Sequence, residues 1–293
     1  MPRTALIIGA SSMLGRRLAS YLGDLGFRVF SCGRSDDCDI HFDLADTRFP
    51  DIPEGLKAAV VFHCASSFAD DSIQGCIENE KVNALGAYPV AEITAAVGCK
   101  HLVFAGSISS SSESGVTPET SYGASKLRGE DILEWSLNRH GIAFTSLRFP
   151  QLYDEHGECC RHQLWFGRIV AYAYAGKQLR MPGGSAMRNF IHASDAVRLM
   201  HAALETGTAG RLDITHPISM TSEEIAQLAY DTFDNGGCYE VAPEKQPFRA
   251  IYIPCSKGSF VQLQCWPQIS MFEGLEMIKT EGSPENFGPM DVM

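Results

Sequence analysis

The stretch Ala5-Leu-Ile-Ile-Gly-Ala-Ser-Ser-Met-Leu-Gly15 decides the fold prediction. The apolar run Ala5–Ile8 predicts a buried strand, and apolar residues at helical spacing over Leu14–Leu25 predict a helix. Gly9 permits a tight turn between the two elements, and Gly15 lets the helix approach the strand closely. A strand, a glycine turn and a helix in this order predict the first βα unit of a parallel sheet.

The same turn is a candidate phosphate-binding site. Backbone N–H groups at the start of a helix are free, and the helix dipole adds an attraction for anions such as a pyrophosphate. The residues expected to line a bound dinucleotide here are Gly9, Ser11, Ser12, Met13, Leu14 and Gly15. Ser12 occupies the position where the dinucleotide-binding pattern has its middle glycine, which predicts a slightly altered contact with the pyrophosphate.

Outward from this unit, short apolar runs alternate with amphipathic stretches over the first 150 residues. The predicted strands are Ala5–Ile8, Arg28–Phe30, Ala58–Phe62, Leu102–Phe104 and Thr145–Arg148, and the predicted helices are Leu14–Leu25, Lys81–Val97 and Ser121–Arg139. Helices that link successive strands imply parallel pairing through right-handed crossovers. The sequence therefore predicts an α/β fold with a doubly wound parallel Rossmann sheet. After Pro150 the alternation weakens.

Composition excludes several classes of protein. Hydrophobic residues make up 45% of the chain and charged residues 20%, which is typical of a globular protein with a core. The formal net charge of -11 disfavours a nucleic-acid partner, and no apolar run approaches the roughly 20 residues that cross a bilayer. The ten cysteines form no Cys-x-x-Cys pair, so we expect reduced thiols in a cytoplasmic protein. Cys159-Cys160 with His162 is the nearest approach to a metal site, and we expect no bound metal.

The end of the second strand bears on the choice of cofactor. An acidic residue at this position typically binds the ribose 2′-hydroxyl of NAD, whereas Arg34 and Ser35 suit the 2′-phosphate of NADP. The pair Asp36–Asp37 remains an alternative ligand for the ribose. The sequence thus slightly favours NADP(H) over NAD(H). Asp43–Leu44 is placed to bind the adenine, with the acid on its amino group and the leucine on the ring.

Tyr122 and Lys126 form a candidate acid–base pair. Residues four apart on a helix share one face, so both side chains can reach the same cleft. A nearby ammonium favours the phenolate, so we expect Lys126 to lower the pKa of Tyr122 from its ordinary value near ~10. Ser107, at the end of a predicted strand, is expected to bind a substrate carbonyl or hydroxyl.

Taken together, these residues resemble the extended short-chain dehydrogenase/reductase family, the group of NAD(P)-dependent sugar epimerases, dehydratases and ketoreductases. The resemblance covers nearly the whole chain. It is carried by Gly9–Gly15, Asp43–Leu44, Phe62–Ala65, Asn83, Ser107, Tyr122, Lys126, Leu147–Tyr153, Met187–Asp195 and Pro267–Leu275.

The resemblance implies a domain layout and a set of site residues. Residues 1–155 would form the NAD(P)-binding Rossmann domain, and 156–293 a smaller, mixed substrate-binding domain with about 187–215 packing back on the Rossmann core. Ser107, Tyr122 and Lys126 become the catalytic set. Further cofactor-binding residues are Cys64, Ala65, Ser66, Asn83 and Phe149, together with Tyr122 and Lys126. Substrate-binding residues are Ser107, Ser109, Gln151 and Arg188, where Arg188 would bind a diphosphate or, alternatively, pair with Asp195.

Departures from the family pattern bear on the reaction. Ile108 and Ser109 follow Ser107, where the family's dehydratases carry an acidic pair, so dehydration is disfavoured. Gln151 stands where the family often has an asparagine near the substrate. The preferred hypothesis is reduction of a keto group on a nucleotide-linked sugar. The alternatives are an NAD-dependent nucleotide-sugar epimerase and a non-catalytic dinucleotide sensor, and the architecture is compatible with a homodimer.

Overall fold

A computed structural model of the protein describes residues 3–46, 49–111 and 118–291. In chain order its strands are β1 (Thr4–Ile8), β2 (Arg28–Gly33), β3 (Ile40–His41), β4 (Val60–His63), β5 (His101–Ser107), β6 (Ala143–Phe149), β7 (Gln151–Tyr153), β8 (Leu179–Met181), β9 (Met187–Arg188), β10 (Phe190–His192), β11 (Gly210–Asp213), β12 (Met220–Thr221) and β13 (Tyr239–Val241). Its α-helices are α1 (Met13–Asp24), α2 (Ile73–Asn79), α3 (Ala87–Ala96), α4 (Ser121–Arg139), α5 (Leu164–Tyr174), α6 (Ala193–Thr206), α7 (Ser222–Phe233), α8 (Lys257–Leu263) and α9 (Met271–Thr280), and a π-helical turn, Glu80–Leu85, joins α2 to α3.

Seven parallel strands form the central sheet, in the order β11-β6-β5-β4-β1-β2-β3. The predicted doubly wound Rossmann sheet is therefore confirmed. The chain runs outward from β1 in both directions, to β2 on one side and to β4 on the other. In such sheets ligands bind beyond the carboxyl ends of the strands at this reversal of strand order.

The first βα unit forms for the reasons that the sequence gives. Ala5–Ile8 is at most 1% exposed because β1 is covered on both faces, as expected for an inner parallel strand. Ser12 caps α1, since its hydroxyl accepts the Gly15 N–H at 3.0 Å. Leu18 and Leu22 are fully buried, so the apolar stripe of α1 lies against the core.

Internal packing divides the chain into two compact units. The first comprises Met1–Phe149, Val197–Ile214 and Ser256–Trp266, and the second comprises Pro150–Ala196, Thr215–Cys255 and Pro267–Met293. The chain leaves the first unit at Phe149 rather than at the predicted 155. It returns at Val197–Ile214, where β11 pairs with β6, and a further return at Ser256–Trp266 has no counterpart in the sequence prediction.

The second unit combines helices with short paired strands. Its pairs are β7 with β10 and β8 with β13, both parallel, and β9 with β12, antiparallel. Helix α7 packs on α5 and α9, and its Ile225 and Ala229 are fully buried. This is a mixed arrangement, unlike the regular alternation of the first unit.

Candidate active site

Three predicted residues meet at the carboxyl end of β5 in the first unit. Ser107 is the last residue of β5, and Tyr122 lies in the first turn of α4, whose start is capped by Thr120. The side chains of Ser107 and Ser66 lie beside the Tyr122 hydroxyl, where both act to lower its pKa. Ser107 is 8% exposed and its hydroxyl also accepts the Ser109 N–H at 3.2 Å. The structure thus brings Ser107 and Tyr122 together, as the sequence predicts.

Lys126 lies one helical turn beyond Tyr122 and is 2% exposed. Its ammonium donates to the Ala105 carbonyl at 2.8 Å and lies 3.9 Å from the centre of the Phe104 ring. Burial lowers the pKa of Lys126 to about 7, although the Glu130 carboxylate acts in the opposite direction. The side chain therefore exchanges its proton close to neutral pH.

The pKa of Tyr122 differs from the sequence expectation. Burial raises it above the ordinary value for tyrosine, and the hydrogen bonds from Ser107 and Ser66 only partly oppose that rise. The expected net lowering of the Tyr122 pKa is therefore wrong. The physical reason is that burial destabilises the charged phenolate by more than the neighbouring hydroxyls stabilise it.

A buried ionic cluster follows Lys126 along α4, and the sequence analysis did not identify it. Glu130 is fully buried, and its carboxylate accepts from Arg148 Nη2 at 2.7 Å and from the Ser146 hydroxyl at 2.5 Å. Asp213 lies 3.8 Å from Arg148. Glu130 is four residues after Lys126, so the helical spacing that joined Tyr122 to Lys126 extends to a third residue on the same face.

The glycine turn forms a close-fitting cradle between β1 and α1. Gly9 has a φ of +85°, and a Cβ there would lie 2.5 Å from the Ala65 backbone nitrogen. A Cβ on Gly15 would lie 2.2 Å from the Gly9 carbonyl oxygen. Ser12 donates to that carbonyl at 2.8 Å while it caps α1, so its hydroxyl closes the turn in place of the missing glycine. Free N–H groups and the absence of large side chains fit a pyrophosphate at this helix start.

The end of β2 is a poor site for an additional phosphate. Arg34 and Ser35 are both exposed, as predicted for cofactor ligands, but the Ser35 hydroxyl donates to the Asp37 carboxylate. That hydrogen bond is the main cause that lowers the pKa of Asp37, so a negative charge lies beside Ser35. A carboxylate at this position repels a 2′-phosphate and suits a ribose hydroxyl.

Asp43 and Leu44, the two residues predicted to bind the adenine, differ in their exposure to solvent. The Asp43 carboxylate accepts the Ala45 N–H at 2.9 Å and remains partly accessible. Leu44 is 7% exposed and belongs to the hydrophobic core of the first unit. Leu44 therefore packs against the core of the first unit, where the sequence analysis expects it on the adenine ring.

The remaining predicted cofactor-binding residues lie in the segment after β4, in the π-helical turn and at the end of β6. Burial raises the pKa of Cys64 to about 12, so its thiol stays protonated beside Ala65. The Asn83 amide is 5% exposed and uses its hydrogen bonds on protein: its oxygen accepts the Ser66 hydroxyl at 3.0 Å and its nitrogen donates to the Ser125 hydroxyl at 3.0 Å. Asn83 thus supports the segment. Phe149, the last residue of β6, is 2% exposed.

Gln151 and Arg188, the predicted substrate-binding residues of the second unit, differ in how far their hydrogen bonds are satisfied by protein. Gln151 donates to the Gln163 side chain at 2.5 Å. Arg188 is 7% exposed, donates to the Arg249 carbonyl at 2.7 Å and lies over the Phe248 ring at 5.4 Å. Its buried Nε has no hydrogen-bond partner among the described residues. Burial, together with the positive Arg249, lowers the pKa of Arg188, as expected for a cation short of a counter-ion.

The alternative role of Arg188, an ion pair with Asp195, is not formed. Asp195 instead accepts the backbone N–H groups of Gln268 and Ile269, both at 2.8 Å. Beside Arg188, within the second unit, lies a cavity of about 220 Å³ with a mainly apolar wall that includes Ile218 and Met271.

Comparison with known proteins decides the family. The model of the NAD dependent epimerase/dehydratase family matches residues 5–214, which include the glycine turn, Ser107, Tyr122, Lys126 and Arg188. The chain belongs to this family. Its assignment confirms the resemblance to the extended short-chain dehydrogenase/reductase group and the prediction that the protein is an enzyme.

Individual proteins are similar to this chain over most of its length. The UDP-glucose 4-epimerase of Corynebacterium glutamicum is 25% identical over 297 residues, which cover 90% of this chain and 90% of that protein. The structure of the UDP-N-acetylglucosamine 4-epimerase of Bacillus cereus has a TM-score of 0.79 at 20% identity and covers 94% of this chain and 98% of its own. The structure of the UDP-glucose 4-epimerase of Thermotoga maritima with UDP-glucose has a TM-score of 0.74 at 19% identity and covers 97% and 98%.

The family assignment specifies NAD, and the comparisons give no support to a preference for NADP(H). The hydrogen bond from Ser35 to the ionised Asp37 is consistent with NAD as the cofactor.

Over the described ranges, no helix is both long and apolar enough to cross a bilayer. No group of three or more metal-ligating side chains is found in the same ranges.

Proposed function

We propose that the protein is an NAD-dependent 4-epimerase acting on a UDP-hexose. The observation that carries the proposal is the Tyr122 hydroxyl, held by Ser107 at the carboxyl end of β5 with Lys126 one turn away on α4. This arrangement suits exchange of one proton with a sugar hydroxyl. Similarity to the Corynebacterium glutamicum epimerase over 90% of both chains supports the choice of reaction.

The glycine turn and the segment after β4 would hold the dinucleotide. Gly9 and Gly15 leave room for the pyrophosphate at the start of α1, and the Asp37 region would bind the adenosine ribose. Lys126, buried near its neutral form, would donate to the hydroxyls of the nicotinamide ribose. When bound, NAD supplies the hydride acceptor and, after the sugar has turned, the hydride donor.

Tyr122 acts as the base and then as the acid. Its phenolate takes the proton from the sugar hydroxyl as that carbon is oxidised, and the resulting phenol returns the proton when the carbonyl is reduced from the other face. Ser107 would position the reacting oxygen, because its side chain lies beside the Tyr122 hydroxyl. No proton is lost or gained over the complete cycle.

Arg188 would bind the diphosphate of the substrate. Its guanidinium is buried, its Nε has no partner among the described residues, and a second cation lies nearby. An anion would complete the hydrogen bonds of the guanidinium and offset the lowering of its pKa. Gln151 and Ser109 remain predicted contacts of the sugar.

A second candidate is reduction of a keto sugar nucleotide by free NADP(H). The exposed Arg34 favours this reading, because a guanidinium at the end of β2 suits a 2′-phosphate. The two functions differ in their net consumption of the cofactor. An epimerase regenerates NAD within each turnover, whereas a reductase consumes one reduced dinucleotide.

The experiment is an assay of the purified protein with UDP-glucose and no added reductant. The proposal predicts that UDP-galactose accumulates to an equilibrium mixture with no net conversion between oxidised and reduced dinucleotide, and that denaturing the protein releases NAD. Turnover that requires stoichiometric NADPH, with no interconversion of the two UDP-hexoses, would contradict the proposal and support the reductase.

A further inference from the structure

The aromatic ring of Phe104 lies against the Lys126 ammonium. Phe104 is on β5, the strand that ends at Ser107, and its side chain is 1% exposed. The Lys126 nitrogen lies 3.9 Å from the centre of this ring, over the face where the π electrons attract cations. The same nitrogen donates to the Ala105 carbonyl at 2.8 Å. Two consecutive residues of β5 therefore contact one ammonium.

The Phe104 ring is itself fixed by its neighbours on the sheet. Parallel pairing places it beside His63 of β4, and the two rings stack with their centres 5.0 Å apart and their planes at 28°. From β6, on the other side of β5, the Phe144 ring lies 6.4 Å away at 30°. All three rings are buried, so close packing holds the central ring in one orientation.

An ammonium carries three N–H donors, and the contacts with β5 account for two of them. The first is used on the Ala105 carbonyl, and the Phe104 ring lies where its face accepts a second. The Glu130 carboxylate, one helical turn further along α4, is bound by Arg148 at 2.7 Å and by Ser146 at 2.5 Å. The ring thus attracts the charge without adding an oxygen that would compete for the last donor.

The other titratable groups around the ammonium keep their charge while Lys126 titrates. Burial, together with the charge of Lys126, lowers the pKa of His63 to about 3, so this ring is neutral. Burial raises the pKa of Cys64 to about 12 and also raises that of Tyr122, so both stay protonated near neutral pH. Glu130, paired with Arg148, supplies the negative charge on the side of α4.

We propose that Phe104 is a positioning residue of the active site: its ring face, together with the Ala105 carbonyl, holds the charged Lys126 ammonium with one N–H donor free for the nicotinamide ribose. The inference deepens the proposed function and rests on it for its catalytic consequence, because there Lys126 binds that ribose. Phe104 acts on the reaction through Lys126. Phe144 offers a matched control, since its buried ring packs on Phe104 and takes part in none of the cation–ring contacts of the described residues.

The first test needs no substrate and changes the charge distribution of the ring. Phe104 is replaced by 3,4,5-trifluorophenylalanine, which nearly keeps the shape of the ring and removes most of the negative potential from its face. The pKa of Lys126 is measured by NMR with ε-¹³C-labelled lysine in the full chain as purified, and Lys126→Met assigns the signal. Losing the attraction of the ring should lower this pKa by about 0.5–1 unit.

The same replacement at Phe144 is the control and should leave the pKa of Lys126 unchanged. An unchanged pKa after fluorination of Phe104 would overturn the proposal, whether or not the protein is an epimerase. An equal fall after fluorination of Phe144 would also overturn it, because the effect would then arise from packing in general.

The second test measures the consequence for the cofactor by titration with NAD. Since the pKa of Lys126 is about 7, the expected fall reduces its charged fraction about two- to fivefold at pH 7 and less than about twofold at pH 6. The affinity for NAD should decrease by the same factors in the protein fluorinated at Phe104. Equal losses at the two pH values would contradict an action through the charge of Lys126. A wild type that binds NAD but does not interconvert the UDP-hexoses would refute the proposed function, and these two measurements would still decide the role of Phe104.

Discussion

At Tyr122, burial and hydrogen bonding act in opposite directions on the phenol. Burial raises its pKa, and the hydroxyls of Ser107 and Ser66 lower it by a smaller amount. The base form is therefore scarce at neutral pH and becomes more abundant as pH rises. A residue in this condition controls the rate through its ionisation.

We therefore expect kcat to rise with pH above neutrality until Tyr122 is fully ionised. Tyr122→Phe should lower kcat by about 10²- to 10⁴-fold and leave the retained NAD unchanged, since only the proton-transfer group is lost. Tyr88→Phe is the control, because Tyr88 is 46% exposed on α3. A Tyr122→Phe enzyme that keeps the wild-type rate would contradict the assignment of the base.

Lys126 makes a prediction for the free energy of unfolding of the cofactor-free protein. Its pKa is about 7 when folded and near ~10.4 when unfolded, so the unfolded chain binds the extra proton between those values. Stability should consequently increase as pH rises from about 7 toward 10, as far as this residue contributes. Urea denaturation at several pH values in that window measures it. Lys126→Met should remove this part of the pH dependence and stabilise the protein near pH 7; the same slope in the variant would refute the account.

Among the elements, α4 presents one functional face at a spacing of four residues. Tyr122, Lys126 and Glu130 follow one another along it, and Glu130 is bound to Arg148 from β6. Helical spacing makes the first two predictable from sequence. The partner Arg148 is not predictable in this way, because the β5–β6 pairing that brings it beneath the helix is non-local.

Two acidic side chains that pair with arginines should differ widely in their effect on stability. Glu130→Ala leaves Arg148 buried without its main partner, so we expect a loss of about 3–5 kcal/mol in the free energy of unfolding. Glu80 pairs with Arg128 of α4, but both side chains are partly exposed to solvent, and Glu80→Ala should cost at most about 1 kcal/mol. Equal losses in thermal or chemical denaturation would contradict the assignment of Glu130 to a buried cluster.

Helix α1 offers a second matched pair. A Cβ on Gly15 would meet the Gly9 carbonyl oxygen at 2.2 Å, whereas a Cβ on Gly23 would have no neighbour within 4 Å. Gly15→Ala should therefore push α1 from β1, destabilise the protein by about 1–3 kcal/mol and weaken NAD binding. Gly23→Ala should stabilise it by up to about 1 kcal/mol, because alanine favours a helix. Denaturation and NAD titration of both variants check this, and a tolerated Gly15→Ala would refute the close-approach argument.

At the scale of the whole molecule, local patterns predict the strands and helices of the parallel core, and non-local pairing decides the rest. The alternation of apolar runs and helical stripes located β1, α1, β5 and α4 to within a few residues. β11 was not predicted because Gly210–Asp213 is only four residues long, too short for a clear pattern, and it forms by pairing with β6. The position of the two unit boundaries depends on such contacts as well.

The features of the candidate site also divide into local motifs, which the sequence predicts, and non-local contacts, which it does not. The glycine turn and the Tyr122–Lys126 pair are local motifs and were identified from spacing. The raised pKa of Tyr122 depends on burial and on side chains from distant parts of the chain, which no sequence window contains. The preference for NADP(H) was inferred from Arg34 and Ser35, and the residue types do not reveal that the Ser35 hydroxyl donates to Asp37.

The measurement that most directly tests the central claim uses UDP-glucose deuterated at C4 of the sugar. An enzyme that takes the hydride from this carbon and returns it within one active site should yield UDP-galactose with the deuterium retained at C4, and with no solvent hydrogen incorporated there. Loss of the label from C4 with incorporation of solvent hydrogen would contradict internal hydride return. Failure to form UDP-galactose at all would contradict the proposed reaction.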